Sequence, residues 1–580
     1  MAVVDVTQWF LISAERENPH TVIDAVRGDG TAWSSGNSVR ALVHGRDYFA
    51  ELHERICALG PGDRFYFADW QGDPDQRLTD DPRSTLNDTL VDAARRGVDV
   101  RGLLWRSHWR RLGFNSQLHR HLGEEIGEAG GQCLRDMRVR TRGSHHQKFV
   151  VIRHASDPAR DIAYVGGIDL CHGRRDDDRH RGDAQPVEMA SAYGPRPAWH
   201  DVQVAIQGPA VHDVETTFRE RWEDSTPLTA HPGRLLTSLL HREELVPAPL
   251  GAQAPPPPRR PGGNEVVQIM RTFPVIAPKP YDFAPEGERS VMLGNTKAIA
   301  RAERLVYVED QYLWSAEVGE HFAGALRDNP DLRLIVVLPM VPDREGAAAE
   351  VPQLYGRFLA MQRILEAGGD RVAVFGLTNE AGMPVYVHSK TCIIDHRWAS
   401  VGSDNLNRRS WTSDSEIACA VIDERGAAGD PAPADSFPRV LLRTLVAEHL
   451  GCHPDEVPED PHDLFDAMVS CADALDAWYD GAGRDQLTGV RGVISAKRPS
   501  RPVPVPRSVS RVLPGHQRRR RRVVERAEEF AAGEHDRERP PGRLRRLAAP
   551  ELTALQLTWA PRLYDALFDP DGRPRPGVGN

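Results

Sequence analysis

Two short stretches hold the residues best suited to chemistry. One is "GSHHQKFVVI", with His146 and Lys148; the other is "HSKTCIID", with His388, Lys390 and Asp395. Lysine is scarce here: of 73 basic residues only five are lysine, and two of those five stand two positions after a histidine. Arginine serves the general surface, so a position that keeps lysine calls for a compact ammonium rather than a planar fork. Residues i and i+2 of a strand point to the same side. Each histidine is therefore expected to project with its lysine into one pocket. Each pair is followed by an apolar run ending in small and polar residues. These are "IAYVGGID", with Gly166, Gly167 and Asp169, and "WASVGSDN", with Ser403 and Asn405.

Two such pockets face to face would surround one point with two imidazoles and two ammoniums, an arrangement suited to a phosphodiester. The lysines, with Asn405 and Ser403, can hold the non-bridging oxygens and stabilise charge in the transition state. One imidazole can attack phosphorus and form a covalent phosphohistidine. The other can protonate the leaving oxygen and later deprotonate water or an alcohol. Both roles suit a side chain whose ordinary pKa is about 6.5. Each ring would want a carboxylate on its far nitrogen to fix its tautomer. The scheme needs no cofactor and no metal. A single His-x-Lys pair would signal little, because most such pairs are surface features; the repetition carries the weight.

The elements around the pairs repeat as well. "RFYFADW" and "LVYVEDQ" read as buried strands ending in an aspartate; Asp69 precedes His146 by 77 residues and Asp310 precedes His388 by 78. In the first half, helices are expected over 85–96 and 117–129, with the strand "VDVRGLLW" between them and "QKFVVI" after them. In the second half, helices over 317–327 and 351–367 alternate with "LRLIVVLP", "RVAVFGL" and "PVYVHSKTCIID". Short β-branched runs alternating with amphipathic segments predict an α/β fold. Here it is expected twice, by duplication. From histidine to glycine the first copy is six residues longer, which places an enlarged turn at "RHASDPARD".

With 580 residues and 40% hydrophobic content, more than one domain is expected. A Pro/Gly-rich linker at 245–265 would separate a first half, 1–244, from a second, 266–490. Residues 491–580 form a proline-rich, then basic region, with five consecutive arginines at 518–522. That region reads as a solvated tail or as a contact for anionic lipid, although "LTWAPRLYDALFDPDG" at its end could dock on the body. A net charge of −10 argues against a dedicated nucleic-acid binder. The seven cysteines show no CxxC pattern, so neither a disulfide framework nor a cysteine zinc site is expected. The acidic run at 176–178 reads as a solvated loop, and His200 as a structural neighbour of Asp201. No signal peptide and no membrane-spanning segment are expected.

These motifs together resemble the phospholipase D superfamily, whose signature is HxKxxxxD followed by GSxN or a GG variant, twice per active unit. The eukaryotic-type branch is the nearer likeness, through "ALVHGRDYFAEL", "VGGIDLCHGRRD", "PAWHDVQVAIQGPAV", "YVEDQYLWS" and "GSDNLNRRS". The resemblance spans roughly residues 40–420. It implies two α/β domains, each a mixed sheet flanked by helices, forming a pseudo-two-fold unit with one shared active site in a monomer. It makes His146 the nucleophile and His388 the acid/base partner, with Lys148, Lys390 and Asn405 as phosphate ligands. Asp201 takes the place of the carboxylate behind the first histidine and Glu416 that behind the second. Asp395 joins the catalytic set as the motif's aspartate. Ser403, Asp169, Gly166 and Gly167 would line the substrate pocket, and His145 has a minor part. One position departs from the pattern, because Arg153 stands where the first motif's aspartate is expected.

The activity so implied is hydrolysis of glycerophospholipids to phosphatidic acid and a free headgroup, or transfer to another alcohol, at an anionic membrane surface. Two rival readings are another phosphodiesterase of the superfamily, such as a nuclease, and a scaffold weakened by Arg153. Arginine-rich composition suggests a high-GC bacterial source. A cytoplasmic or peripheral-membrane location is expected, or export without an N-terminal signal.

Overall fold

A computed structural model describes residues 5–106, 118–229, 235, 236, 238, 240, 243–425, 432–481 and 539–573. The first half contributes β1 (Ser34–Val43), β2 (Arg64–Asp69), β3 (Asp99–Trp105), β4 (Gln132–Asp136), β5 (Phe149–Arg153), β6 (Ile162–Gly166), β7 (Ala198–His200) and β8 (Val202–Gln207). The second contributes β9 (Glu265–Phe273), β10 (Glu288–Arg289), β11 (Leu305–Glu309), β12 (Arg333–Val337), β13 (Val372–Thr378), β14 (Pro384–Val387), β15 (Thr391–Ile394), β16 (Trp398–Gly402) and β17 (Glu416–Asp423). A late strand, β18 (Leu544–Arg546), joins the second sheet.

The pairings make the duplication explicit. The first sheet runs β4-β3-β2-β5-β6-β8-β1, with β2–β3 and β3–β4 parallel and the other pairs antiparallel. The second runs β13-β12-β11-β15-β16-β17-β9 with the same directions. The inner strands are buried on both faces, which explains runs such as "FVVI" and "LIVV" that do not alternate. Helices Gly45–Cys57, Leu86–Arg95 and Leu118–Glu128 belong to the first half, and Ala316–Asp328 and Ala347–Gly368 to the second. Local chemistry sets their ends. Thr85 caps the helix Leu86–Arg95 by accepting the Asp88 N–H at 3.1 Å, a contact of the kind worth about 1 kcal/mol.

Two pairings join the halves: β1 with β9, antiparallel, and β7 with β14, parallel. A central core mixes both sheets, with Tyr66, Val151 and Val204 from one and Tyr307, Ile393 and Val401 from the other. The linker at 245–265 is fastened along the first half. Ala248 donates to Gln132 Oε1 at 2.8 Å, and its carbonyl accepts the Trp222 indole N–H at 2.8 Å. Arg260 N bonds the Gly36 carbonyl at 2.8 Å. The basic run at 518–522 lies outside the described residues, but the end of that region is folded. Tyr564 packs edge-on against Tyr355 and Trp314, and Asp569 accepts the Arg409 backbone N–H at 2.7 Å.

The structure gives Arg153 a structural place. It ends β5, opposite Arg64, and its guanidinium sits 2.9 Å from Asp161 and 3.3 Å from Glu215, all three buried. Asp161 closes the enlarged turn after β5, so the insertion brings its own carboxylate to the arginine. Removing one partner of a buried ion pair strands the other charge and costs about 3–5 kcal/mol. Arg153→Met is therefore expected to lower unfolding stability by about that amount, read as a reduced urea midpoint with an unchanged slope. A loss below about 1 kcal/mol would mean that the pair is not buried as described.

Candidate active site

The two His-x-Lys triplets do not lie inside strands. They lead into them, His146–Lys148 into β5 and His388–Lys390 into β15. Alternation still holds: histidine and lysine share one side, and the middle residue faces the other. Gln147 accepts from Arg221 at 3.2 Å, and Ser389 donates to Glu309 at 2.6 Å. Each lysine ammonium donates back to the carbonyl of its own histidine, Lys148 at 2.8 Å and Lys390 likewise. Gln311, directly after Asp310, accepts a further bond from Lys390 at 3.3 Å.

The backbone of each triplet is tied to the opposite half. His388 N donates to the His200 carbonyl at 2.8 Å, and His146 N donates to the Ser415 carbonyl at 2.9 Å. His200 and Ser415 immediately precede Asp201 and Glu416, so the carboxylates arrive crosswise. His388 Nδ1 lies 2.7 Å from Asp201 Oδ2, and His146 Nδ1 lies 3.0 Å from both oxygens of Glu416. This reverses the expected pairing: Asp201 holds the second histidine and Glu416 the first. The expectation came from the resemblance, and the sequence could not show that β7 and β14 lie side by side.

The crossing also explains the glycine pair. A Cβ at Gly167 would fall 2.1 Å from Asp201 Oδ1, so the glycine leaves room for that carboxylate. A Cβ at Gly166 would meet the Val202 carbonyl at 2.4 Å. At the matching position of the second half, Ser403 donates to Glu416 Oε2 at 2.5 Å. Gly167 thus makes room for a carboxylate and Ser403 bonds one, while Gly166 makes room for the Val202 carbonyl and the Gln203 side chain. Asp169 lies 3.6 Å from Lys148 and 3.5 Å from Arg174, and so holds cations. Asn405 is buried, and its side-chain oxygen has no hydrogen-bond partner among the described residues.

Asp395 is not brought into the pocket. It lies beyond the far end of β15, where it accepts the backbone N–H groups of Glu303, Arg304 and Leu305 at 2.8–2.9 Å. Its work is to fasten the entry to β11, and its inclusion among the catalytic residues is corrected. The His145 side chain is buried among Arg221, Asp136 and Arg138, and its backbone bridges Ser415. Asp176, expected in a solvated loop, is buried and accepts the Trp199 N–H at 2.8 Å. Sequence reasoning missed Arg174 and Gln311. The Arg174 guanidinium stacks 4.1 Å from the centroid of Trp199, whose ring lies 4.8 Å from that of His388. Gln311 could have been found from its place one residue after the matched aspartate.

Burial and neighbouring cations set the protonation states. Burial first, then Lys148 and Lys390, holds the His146 imidazole well below its ordinary value. His388 is held down by burial, then by Lys390 and Arg174. Burial, with Lys148 adding to it and Asp201 opposing, lowers Lys390 to about 8. Burial raises Glu416 to about 7 against the pull of Lys148, and raises Asp201 against Lys390. Two imidazoles disfavoured from carrying a proton thus stand close to two lysines and to the carboxylates that hold them.

Two family models match in the order of the two halves. Residues 65–250 match the model described as Phospholipase D, and residues 297–429 the one described as Cardiolipin synthase, PLD-like domain. The chain belongs to the phospholipase D superfamily. Among curated relatives, Phospholipase D gamma 2 of Arabidopsis thaliana is 25% identical over 67% of this chain and 60% of its own length. Phospholipase D alpha 1 of Cynara cardunculus is 28% identical over 57% of this chain and 52% of its own. Phospholipase D1 of Saccharomyces cerevisiae is 25% identical over 72% of this chain and 29% of its own. The chain thus spans less than two thirds of each of these relatives. No helix of the described residues is long and apolar enough to cross a membrane.

The crossing can be read directly by histidine-selective nitrogen NMR. Glu416→Gln is expected to perturb the Nδ1 resonance of His146 and leave that of His388 in place; Asp201→Asn is expected to do the reverse. The opposite assignment would refute the crossed arrangement.

Proposed function

We propose that this chain is a phosphodiesterase of the phospholipase D type, acting on glycerophospholipids through a phosphohistidine. The observation that carries the reading is the crossed pair of carboxylate-held imidazoles beside two lysines. With Nδ1–H donated to Glu416, the Nε2 lone pair of His146 is free to attack phosphorus. The family resemblance assigns the attack to this histidine. As the N–P bond forms, the P–O bond to the headgroup breaks, and His388 Nε2 supplies the proton that the leaving oxygen takes. His388 then accepts a proton from water or an alcohol, whose oxygen attacks phosphorus and releases His146. The bound diester is itself anionic, so it offsets the two lysines and raises the readiness of His388 to hold a proton.

Lys148 and Lys390 stabilise charge on the non-bridging oxygens, and the Asn405 side chain is available to help. The names of the curated relatives support a phospholipid substrate. Arg153, which prompted the scaffold reading, makes its contacts with Asp161 and Glu215, remote from the pocket, and so does not touch this chemistry.

The test is phosphatidylethanol formation from phosphatidylcholine vesicles in the presence of ethanol. The native chain is expected to form product, and His146→Ala and His388→Ala to lose on the order of 10³-fold or more. No product from several headgroups would turn the reading towards another phosphodiester. The dependence of kcat/KM on pH is expected to be bell-shaped. Glu416 must be ionised, so the rate falls as pH drops through about 7. Lys390 must be charged, so it falls again as pH rises through about 8. A flat profile from pH 6 to 9, roughly the span of those two groups, would sink this assignment.

A further inference from the structure

Behind the phosphate pocket lies a second cluster that the proposed chemistry does not use. His44 follows β1, His180 sits in the loop after β6, and His200 ends β7. All three are buried, and they converge on Glu448, from the helix Phe437–Leu450 of the other half. Glu448 Oε2 is 2.8 Å from His44 Nε2; its Oε1 is 2.8 Å from His180 Nε2 and 3.6 Å from His200 Nδ1. One ligand atom from each of the four lies within 4.8 Å of every other.

The outer nitrogens of two rings are already committed. His180 Nδ1 lies 3.2 Å from the Trp199 carbonyl, which can only accept, so this nitrogen carries the proton. His200 Nε2 lies 2.8 Å from Glu309 Oε2, and a carboxylate likewise takes the N–H. In the neutral rings, the remaining nitrogens, His180 Nε2 and His200 Nδ1, then turn lone pairs towards the Glu448 carboxylate. His200 Nδ1 is fully buried and has no hydrogen-bond partner among the described residues. Lone pairs and an anion converging in a buried site call for a positive charge among them, a metal ion or protons. A carbonyl or carboxylate behind each inward-facing imidazole is the outer arrangement that orients metal-bound histidine. Glu309 is itself held, by Tyr307 OH at 2.7 Å, His449 Nε2 at 2.8 Å and Ser389 Oγ at 2.6 Å. The backbone is bent to the same end: His44 and His180 adopt φ of 75° and 52°, which non-glycine residues keep only where the surroundings impose it.

We propose that His44 Nε2, His180 Nε2, His200 Nδ1 and Glu448 bind a Zn²⁺ ion that ties the two halves together behind the active site. Three imidazoles and one carboxylate form a donor set suited to four-coordinate zinc and ill suited to calcium or magnesium, which favour oxygen. Tetrahedral zinc with bonds of about 2.0–2.1 Å separates its ligand atoms by about 3.3 Å, so the cluster needs only small adjustments. The site lies apart from the phosphodiester chemistry but touches its supports: His200 precedes Asp201, and Ser389, bonded to Glu309, separates His388 from Lys390. The competing filling is protons, which would make His180 and His200 imidazoliums with ring centroids only 5.7 Å apart.

The untagged full-length chain, dialysed against a chelator and then titrated with Co²⁺, tests this. One equivalent per chain is expected, with the intense visible bands of a four-coordinate ion, bleached by one equivalent of Zn²⁺. His44→Ala and the near-isosteric Glu448→Gln are expected to weaken Co²⁺ binding at least tenfold, with circular dichroism confirming the fold. The double variant His146→Ala/His388→Ala is expected to keep the bands. The proposal is overturned if the native chain binds no stoichiometric Co²⁺. It is equally overturned if binding survives both cluster variants, or is lost when only the two active-site histidines are changed. The readout is independent of phospholipid turnover, so it stands or falls apart from the proposed activity.

Discussion

Everything at this site depends on two crossed hydrogen bonds, His146 to Glu416 and His388 to Asp201. A histidine with both nitrogens free presents either tautomer, and only one of them leaves the Nε2 lone pair open. The carboxylate settles that choice, and each carboxylate belongs to the other half. The pairing of β7 with β14, the bridge between His145 and Ser415, and the shared central core all hold the crossing in register. The room at Gly167 and the hydroxyl of Ser403 are two solutions to one problem, the seating of a carboxylate beside a buried strand end.

The same dependence separates residues that act from residues that hold. The histidines, the lysines and the crossed carboxylates gather at one place. Arg153 ends β5 and Asp395 follows β15 at the matching position of the motif, and each is held locally, by three backbone amides in one copy and beside two carboxylates in the other. An aspartate can therefore be exchanged for an arginine there, provided that the surrounding charges change with it, as the Asp161 turn does.

Much of this was legible in the sequence, because duplication lets one half check the other. The helices at 86–95 and 316–328 and the strands of the matched core fell where apolar periodicity placed them. The strand β4 gives little signal in the sequence, since "QCLRD" carries two charged residues and lacks the apolar run of its counterpart β13. Its aspartate is nonetheless buried: Asp136 is held by Arg138 and Arg221. The site residues were found by spacing, but their partners were not. Spacing reports which side of a strand a residue takes, and says nothing of which distant strand lies opposite. Arg174 and the histidines around Glu448 were hidden for the same reason, because each becomes meaningful only through contacts far away in the chain.

The fastened linker gives the crossing a kinetic meaning. Two halves that complete each other's histidines form a bimolecular machine unless something holds them at high effective concentration. Residues 245–265 supply that tether, and their bonds to Gln132, Trp222 and Gly36 shorten its free length further. Encounter of the halves is thereby independent of protein concentration. Once joined in this way, the copies no longer need to be identical, since each must fit only its one permanent partner. A glycine facing an aspartate in one, and a serine facing a glutamate in the other, is the asymmetry that such a permanent partnership permits.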